Sequence, residues 1–252
     1  PPGNGKSTIA RLIAHETGAA FFDLSPKTIE GKYNLGKTGA ALLVYKVFLA
    51  AQELAPSVIY IDDVDEVFLN GKKKKVTAST TTDGVLAPPP EPASRIKKDL
   101  IAFMKQIRTG AEATHADRVL FIGTTSRPFA EGVEQKELIS SFDEKIWLNF
   151  PDYSSRVQLL LTAIEARGVP RTVVYSPTFN VSVLAKTSEG VSSEALRHAV
   201  DSVLTERRVK QIISNVRPLE ANEFVSTLNN QPKCPAEDWV KFREFDHEAS
   251  GE

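Results

Sequence analysis

The sequence predicts an α/β protein, with a parallel sheet flanked by helices and a helical region after it. Three observations predict this class. A Gly-rich segment (1–8) precedes a helix, four apolar residues within the motif SVIYIDDVDEVF (57–68) are followed by two aspartates, and strand and helix patterns alternate only as far as Pro151. We therefore expect an α/β core over 1–151 and a helical lid with a C-terminal extension over 152–252.

Composition excludes several functional classes. The 252 residues are 41% hydrophobic and 25% charged, with a net charge of -1, which gives no general attraction to nucleic acid or to a membrane surface. The longest apolar runs are too short to cross a bilayer. Cys234 is the single cysteine, so no disulfide can form within the chain, and the cytoplasm is the predicted compartment.

The first segment, PPGNGKST, matches the phosphate-binding pattern G-x-x-x-x-G-K-[ST] except for its leading glycine. Gly3 and Gly5 would let backbone N–H groups approach phosphate oxygens, and Lys6 would reach the β- and γ-phosphates. The Ser7 hydroxyl would bind Mg²⁺. The loop residues predicted to contact the nucleotide are Pro2, Gly3, Asn4, Gly5, Lys6, Ser7 and Thr8.

The strand that normally precedes such a loop is absent from the sequence. We therefore expect the sheet to lack its first strand and to expose an unpaired edge. This also predicts that the chain is a piece of a longer polypeptide. A Gly/Pro-rich surface turn is the alternative interpretation of 1–8, and the order of the later segments disfavours it.

The elements follow from apolar periodicity and from breakers such as Pro56 and Gly110. Short apolar runs predict buried parallel strands, and apolar residues at helical spacing predict helices. The predicted strands are 19–24, one beginning at Ser57, 118–125 and 145–150. The predicted helices are 6–17, 41–54, 95–110, 134–143, 152–168, 179–190, 192–213, 219–228 and 236–245.

Asp62 and Asp63 follow the central strand, at the sheet edge where open α/β sheets bind their ligands. Asp62 is predicted to hold Mg²⁺ through its water shell, opposite the phosphate loop. Asp63 points differently along an extended chain and could orient an attacking water. If the two aspartates are considered alone, a solvated acidic turn explains them equally well. The phosphate-binding pattern upstream favours their role in binding Mg²⁺ and water.

Residues 70–94 interrupt this order with four lysines, a Ser/Thr-rich stretch and a proline cluster. This composition predicts a disordered insert. Lys72 to Lys75 could contact an acidic partner such as a tubulin surface, although a solvated loop is the more common role of a charge run.

The order of motifs resembles the AAA family of ATPases over nearly the whole chain. The likeness is specific in PPGNGKS, SVIYIDDVDEV, TTSRP and EGVSSEAL. It implies ATP or ADP and Mg²⁺ as ligands, with Gly190 and Ser192 of the lid turn near the adenine. A simple helix cap explains Ser192 equally well.

Further segments are similar to the AAA subunits of the nexin–dynein regulatory complex that carry IQ motifs. This resemblance implies an axonemal location in cilia or flagella and a role in regulating dynein. The implied partners are the other subunits of that complex, the doublet microtubule and calmodulin, the last through segments outside this chain. The segments are GTTSRPF, FPDYSSR, FNVSVLAKTSEG and VLTERRVKQI.

Three catalytic positions depart from the family pattern. Asp63 stands where Glu is usual, and Ser126 stands where the γ-phosphate-sensing Asn is usual. Ser140 and Ser141 replace two arginines that reach a neighbouring subunit's site in ring-forming relatives. An arginine finger contributes about 10³–10⁵ in rate, and serine cannot replace its charge. The resemblance therefore implies a nucleotide-binding domain with weak or no hydrolysis.

Two alternatives remain open. Asp63 is still an acid, and Lys32-Tyr33 falls where translocating relatives carry a basic–aromatic pair in a central pore. These residues favour an active ATPase that remodels a protein substrate, although packing or a partner contact also explains Tyr33. The other alternative is a switch, in which nucleotide occupancy alone changes how the lid meets the core.

Overall fold

The computed structural model describes residues 1–30, 38–70, 93–109 and 118–250. Lys32, Tyr33 and Lys72 to Lys75 lie outside these ranges, as does most of the predicted insert. The chain divides into two compact units. We call Lys6–Ile146 with His247–Glu252 the sheet unit, and Pro1–Gly5 with Trp147–Asp246 the helical unit.

The sheet unit contains a parallel sheet of three strands among the described residues, in the order β1-β2-β3. Its strands are β1 (Ala20–Asp23), β2 (Ser57–Ile61) and β3 (Val119–Gly123). The apolar run SVIYI is buried at every position, as a central strand covered on both faces must be. The predicted α/β class with a parallel sheet is confirmed.

Five helices and two short 3₁₀ turns accompany this sheet in the described part of the unit. They are α1 (Lys6–Thr17), α2 (Pro26–Ile29), α3 (Gly39–Glu53), the 3₁₀ turns Val64–Glu66 and Ala93–Ile96, α4 (Lys97–Thr109) and α5 (Gln135–Ser141). Phe48 of α3 stacks on Phe103 of α4 with ring centroids 4.4 Å apart, and Phe68 and Leu100 are fully buried in the same core.

Gly123 at the end of β3 leaves room for an aromatic ring. A Cβ at this position would lie 2.7 Å from Cζ of Phe142 and 3.3 Å from Cγ1 of Val64. We expect Gly123→Ala to lower the free energy of unfolding by about 1–3 kcal/mol, because the ring must move within a packed core. Urea unfolding measures this loss. The double variant Gly123→Ala with Phe142→Ala should lose less stability than the sum of the losses in the two single variants. Strictly additive losses would contradict the explanation.

The helical unit is built from α6 (Tyr153–Ala166), α7 (Arg171–Val174), α8 (Val181–Thr187), α9 (Ser193–Val203), α10 (Glu206–Ile213), α11 (Asn222–Asn229) and most of α12 (Ala236–Ser250). Its core lies mainly among α6, α8, α9 and α11. Side-chain caps begin several of these helices. Asp152 accepts a hydrogen bond from Ser155 N at 2.7 Å, and Asn180 caps α8 in the same way.

The single helix predicted over 192–213 is wrong, because the structure divides it into α9 and α10. Arg167 donates two hydrogen bonds to the carbonyl oxygen of the fully buried Leu204, at 3.1 and 2.8 Å. Thr205 then adopts an extended conformation, and its hydroxyl caps α10 by accepting from Arg208 N. Periodicity missed this break because both halves share the same apolar spacing.

The strand predicted over 145–150 is also wrong, since these residues have no regular secondary structure. Apolar content makes a strand only where a neighbouring strand supplies hydrogen bonds. The aromatic side chains pack on α12 instead. Trp147 meets Phe242 edge-on at 5.9 Å between ring centroids, and the ring centroid of Phe150 lies 5.7 Å from that of Trp239.

Within the described ranges, no helix has both the length and the apolar character needed to span a membrane.

Candidate functional site

The start of α1 and the end of β2 bring two predicted residues together in the sheet unit. Ser7 Oγ donates a hydrogen bond to Asp62 Oδ2 at 3.2 Å, across 55 positions of sequence. A hydroxyl and a carboxylate are hard oxygen ligands of the kind that Mg²⁺ prefers. Thr8 follows on the exposed side of the same helical turn.

Hydrogen bonds from several groups converge on Asp62. Thr124 Oγ1 donates to Oδ1 at 2.6 Å, and Asp63 N donates to the same oxygen at 3.1 Å. Burial by itself raises the pKa of this carboxyl, but hydrogen bonds from Thr124, Tyr60, Asp63 N and Ser7 outweigh it and leave the pKa below its usual value. Asp62 is therefore ionised at neutral pH.

Thr124 is a site residue that the sequence interpretation missed. Its hydroxyl lies 3.0 Å from the buried Tyr60 hydroxyl, and its backbone ties β3 to β2 through Thr124 N and Ile61 O at 2.9 Å. Ser126, the predicted sensor position, is half-buried two residues further on. The sequence signal that could have identified Thr124 is a polar residue directly after a buried strand that neighbours β2.

Asp63 adopts a left-handed backbone conformation, with φ 48° and ψ 47°, directly after β2. Aspartate tolerates this region better than most residues do. Its Oδ2 accepts a hydrogen bond from Lys27 Nζ of α2 at 2.8 Å. Nothing in the sequence pattern pointed to this lysine, because the pair spans 36 positions.

Lys6 is a half-buried ammonium group near the same acidic strand end. Burial lowers the pKa of Lys6, and the negative charges of Asp62 and Asp63 oppose that shift only in part. A phosphate group that approached Lys6 would favour its charged form. This arrangement suits a lysine that binds an anion.

In the helical unit, the first loop residues contact the N-terminus of α9. Glu194 N donates to Gly3 O at 2.9 Å, and Ser193 N donates to Asn4 Oδ1 at 3.4 Å. Gly3 has φ +72°, and a Cβ there would lie 2.8 Å from Ser192 Oγ. Glycine is therefore required for this approach. Gly190, two residues before the α9 cap Ser192, also has a positive φ of 76°.

Ser140 and Ser141 end α5, and their hydroxyls turn back onto their own helix. Both donate to Glu137 O, at 3.1 Å and 2.6 Å. Ser141 is buried, with 7% of its surface exposed. These hydroxyls are therefore satisfied within the helix that carries them.

The residues fit a nucleotide with a magnesium ion on structural grounds. Within the part of the chain that the structure describes, Nδ2 of Asn4 is buried without a hydrogen-bond partner, so a donor in the loop is left for an acceptor. The same described residues contain no group of three or more His, Cys, Asp or Glu side chains that could hold a metal. One carboxylate and one hydroxyl suit Mg²⁺ that takes its other ligands from phosphates and water.

Comparison with known proteins agrees with this geometry. The family model "ATPase family associated with various cellular activities (AAA)" matches residues 1–150. Dynein regulatory complex protein 11 of Mus musculus is 31% identical over 249 residues, covering 97% of this chain and 26% of that protein. Spastin of Homo sapiens is 27% identical over 237 residues, covering 90% of this chain and 34% of that protein. The predicted similarity to a dynein regulatory complex subunit is confirmed.

Solved structures show the same fold. The crystal structure of the FIGL-1 AAA domain in complex with ADP matches with a TM-score of 0.70 and 20% identity, covering 98% of this chain and 75% of that one. A katanin self-assembly structure matches with a TM-score of 0.63 and 23% identity, covering 97% of this chain and 74% of that one. The chain spans about a quarter to a third of the curated relatives named above. With its phosphate loop, its acidic strand end and the match over residues 1–150, the chain belongs to the AAA family of ATPases.

Proposed function

We propose that this chain is a nucleotide-binding structural AAA domain with weak or no ATP hydrolysis. The observation that carries the proposal is the contrast between two groups of residues. The binding residues Lys6, Ser7 and Asp62 fit a phosphate and a magnesium ion, and Ser7 meets Asp62 at 3.2 Å. Ser140 and Ser141, at the positions of the arginine fingers, bond only their own helix carbonyl among the described hydrogen bonds.

The residues of the chain would divide the work of binding. Lys6 would neutralise the β- and γ-phosphates, while Ser7 and Asp62 would hold Mg²⁺ and its water shell. The bound metal supplies charge neutralisation for the phosphates. Asn4 Nδ2 would donate its unpaired hydrogen bond, and the glycines would keep the loop close to the phosphates. Gly190 and Ser192 are proposed as further nucleotide contacts, as are Pro2 and Thr8.

The similarity to Dynein regulatory complex protein 11 supports a proposal for the biological setting. The proposed location is the axoneme of cilia or flagella, on the doublet microtubule, where the domain helps regulate dynein. Other subunits of the complex and tubulin are the proposed partners, and calmodulin is a proposed partner of segments outside this chain. We also propose that the α/β core comprises residues 1–151 and that the helical lid with its C-terminal extension comprises residues 152–252.

Nucleotide binding is tested by thermal unfolding with ATP or ADP and Mg²⁺. A ligand at 100 times its dissociation constant adds about 2.7 kcal/mol to stability. For a chain of this size, we expect Tm to rise by roughly 5–10 °C. Lys6→Ala should lose most of this shift, while the exposed α3 variant Lys46→Ala should keep it. No shift in the wild type, or an equal shift in Lys6→Ala, would contradict the proposal.

The second candidate function is an active ATPase that remodels a protein or microtubule-linked substrate. Two observations favour an active ATPase. Asp63 still places an acid after β2, and the chain is similar to spastin. Phosphate release measured against protein concentration separates the two functions. A rate equal to that of Lys6→Ala, with ATP bound, supports the structural role. A rate per molecule that rises with concentration means that subunits complete each other's sites.

A further inference from the structure

An open groove of about 430 Å³ lies along α10 of the helical unit. It is lined by Val216 in the turn after the helix and by five residues of α10 and its end, which are Glu206, Arg207, Lys210, Gln211 and Ser214. The last four follow the spacing i, i+3, i+4 and i+7, so they share one face of the helix. Val209 and Ile212 pack in the core instead. The groove contains none of the residues proposed to bind nucleotide.

Arg207 and Lys210 place two positive charges in this groove. Both residues are exposed, and within the described ranges neither side chain has a hydrogen bond or an ion pair. Arg208 on the same helix differs, because it pairs with Glu223. Glu206 is the one acid in the lining, so the groove has an excess of positive charge. A complementary ligand therefore carries negative charge.

The turn that ends α10 leaves an apolar side chain uncovered. Asn215 has a positive φ of 55°, its N–H donates to Ile212 O at 3.0 Å, and Val216 N donates to Gln211 O at 3.0 Å. In this kind of helix end, the residue after the left-handed one commonly makes an apolar contact with the last turn. Here that residue is Val216, its usual contact position is the polar Gln211, and Val216 is 74% exposed.

Hydrogen bonds hold the main chain at both ends of the groove. The Thr205 hydroxyl caps the start of α10. After its end, Arg208 donates to the carbonyl oxygens of Arg217 at 3.0 Å and Pro218 at 2.7 Å. The charged face and Val216 are thus fixed before a ligand arrives, which lowers the entropy cost of binding.

We propose that this groove binds an acidic peptide segment of a protein partner, in which carboxylates flank an apolar side chain. The carboxylates would pair with Arg207 and Lys210, and the apolar side chain would cover Val216. Gln211 and Ser214 would bond the peptide main chain. The uncovered Val216 favours a peptide over an inorganic anion, which has no apolar part. The proposal goes beyond nucleotide binding, because it gives the domain a docking site that needs no nucleotide.

The test measures fluorescence anisotropy of a fluorescein-labelled peptide of Glu-Glu-Leu repeats, titrated with the whole chain without nucleotide. We expect saturable binding that weakens as salt is added, because exposed charges are screened. A matched peptide with Gln in place of Glu should not bind, and one with Ala in place of Leu should bind more weakly. No binding of the first peptide, or equal binding of all three, overturns the inference.

Variants locate the site. Arg207→Glu and Lys210→Glu should each raise the Kd on the order of tenfold, since an exposed ion pair contributes up to roughly fivefold and charge reversal adds repulsion. Lys186→Glu, the same charge change at an exposed position of α8 outside the groove, should keep the wild-type Kd. Equal Kd values for all three variants would overturn the inference. Unchanged thermal unfolding shows that the variants fold, and an unchanged shift of Tm by nucleotide separates this site from the proposed function.

Discussion

Replacing Phe224 with alanine is expected to lower the free energy of unfolding by about 3–5 kcal/mol. Phe224 of α11 is fully buried, and its ring meets Phe179 edge-on with centroids 6.1 Å apart. It belongs to the core that joins α11 to α8 and α9, together with Leu184 and Leu228. Truncation removes the ring contacts and leaves a cavity that these packed helices fill only in part.

Urea unfolding followed by circular dichroism measures this loss. Phe224→Leu is the graded comparison, because it keeps most of the apolar volume and should lose less stability than alanine. Val183→Ala, at a position that is 42% exposed on α8, should stay within about 0.5 kcal/mol of the wild type. A loss below 1 kcal/mol for Phe224→Ala would mean that the site collapses around the missing ring.

The second large effect is expected at Arg208, whose side chain is 9% exposed. It binds both carboxylate oxygens of Glu223, at 2.8 and 2.6 Å, and the carbonyl oxygens of Arg217 and Pro218, at 3.0 and 2.7 Å. Arg208→Ala leaves the Glu223 carboxylate and two carbonyls without these donors. We expect a loss of about 3–5 kcal/mol, as for other buried pairs that lose one partner.

This pair also predicts a dependence on pH. The hydrogen bonds from Arg208 lower the pKa of Glu223 below its usual value. The folded form therefore binds a proton less readily than the unfolded form, so the pair's contribution is complete above the unfolded pKa of about 4.3 and is lost as pH falls through the lowered folded value. Wild-type stability should fall in this acid range more steeply than that of Glu223→Gln. Parallel pH profiles would contradict the assignment.

A matched double variant separates the charge from the packing. Arg208→Met with Glu223→Leu removes both charges while keeping apolar volume, and it should recover much of the stability lost in Arg208→Ala. Equal losses in the double and single variants would show that the bonds to the Arg217 and Pro218 carbonyls, rather than the pair itself, account for the effect. Thermal unfolding at pH 7 makes this comparison.

The fold was predictable wherever local pattern and local chemistry agree. The four apolar residues after Ser57 form the buried central strand together with it, and the helix after the phosphate loop begins at Lys6 as expected. Prediction failed at 145–150, where apolar residues pack on α12 without joining a sheet. It failed again at Leu204, where Arg167, the residue directly after α6, donates to the carbonyl oxygen that a continuous helix would have used.

The sequence by itself determined the loop pattern and the paired acids, and from these contiguous motifs it predicts which residues bind phosphate and metal. Only the tertiary structure decided the partners of the two acids: Thr124 on Asp62 and Lys27 on Asp63. Thr124 lies 62 positions from Asp62, and Lys27 lies 36 positions from Asp63. These contacts arise because parallel strands end at one edge of the sheet and bring distant segments together there, a consequence of chain topology that no local spacing encodes.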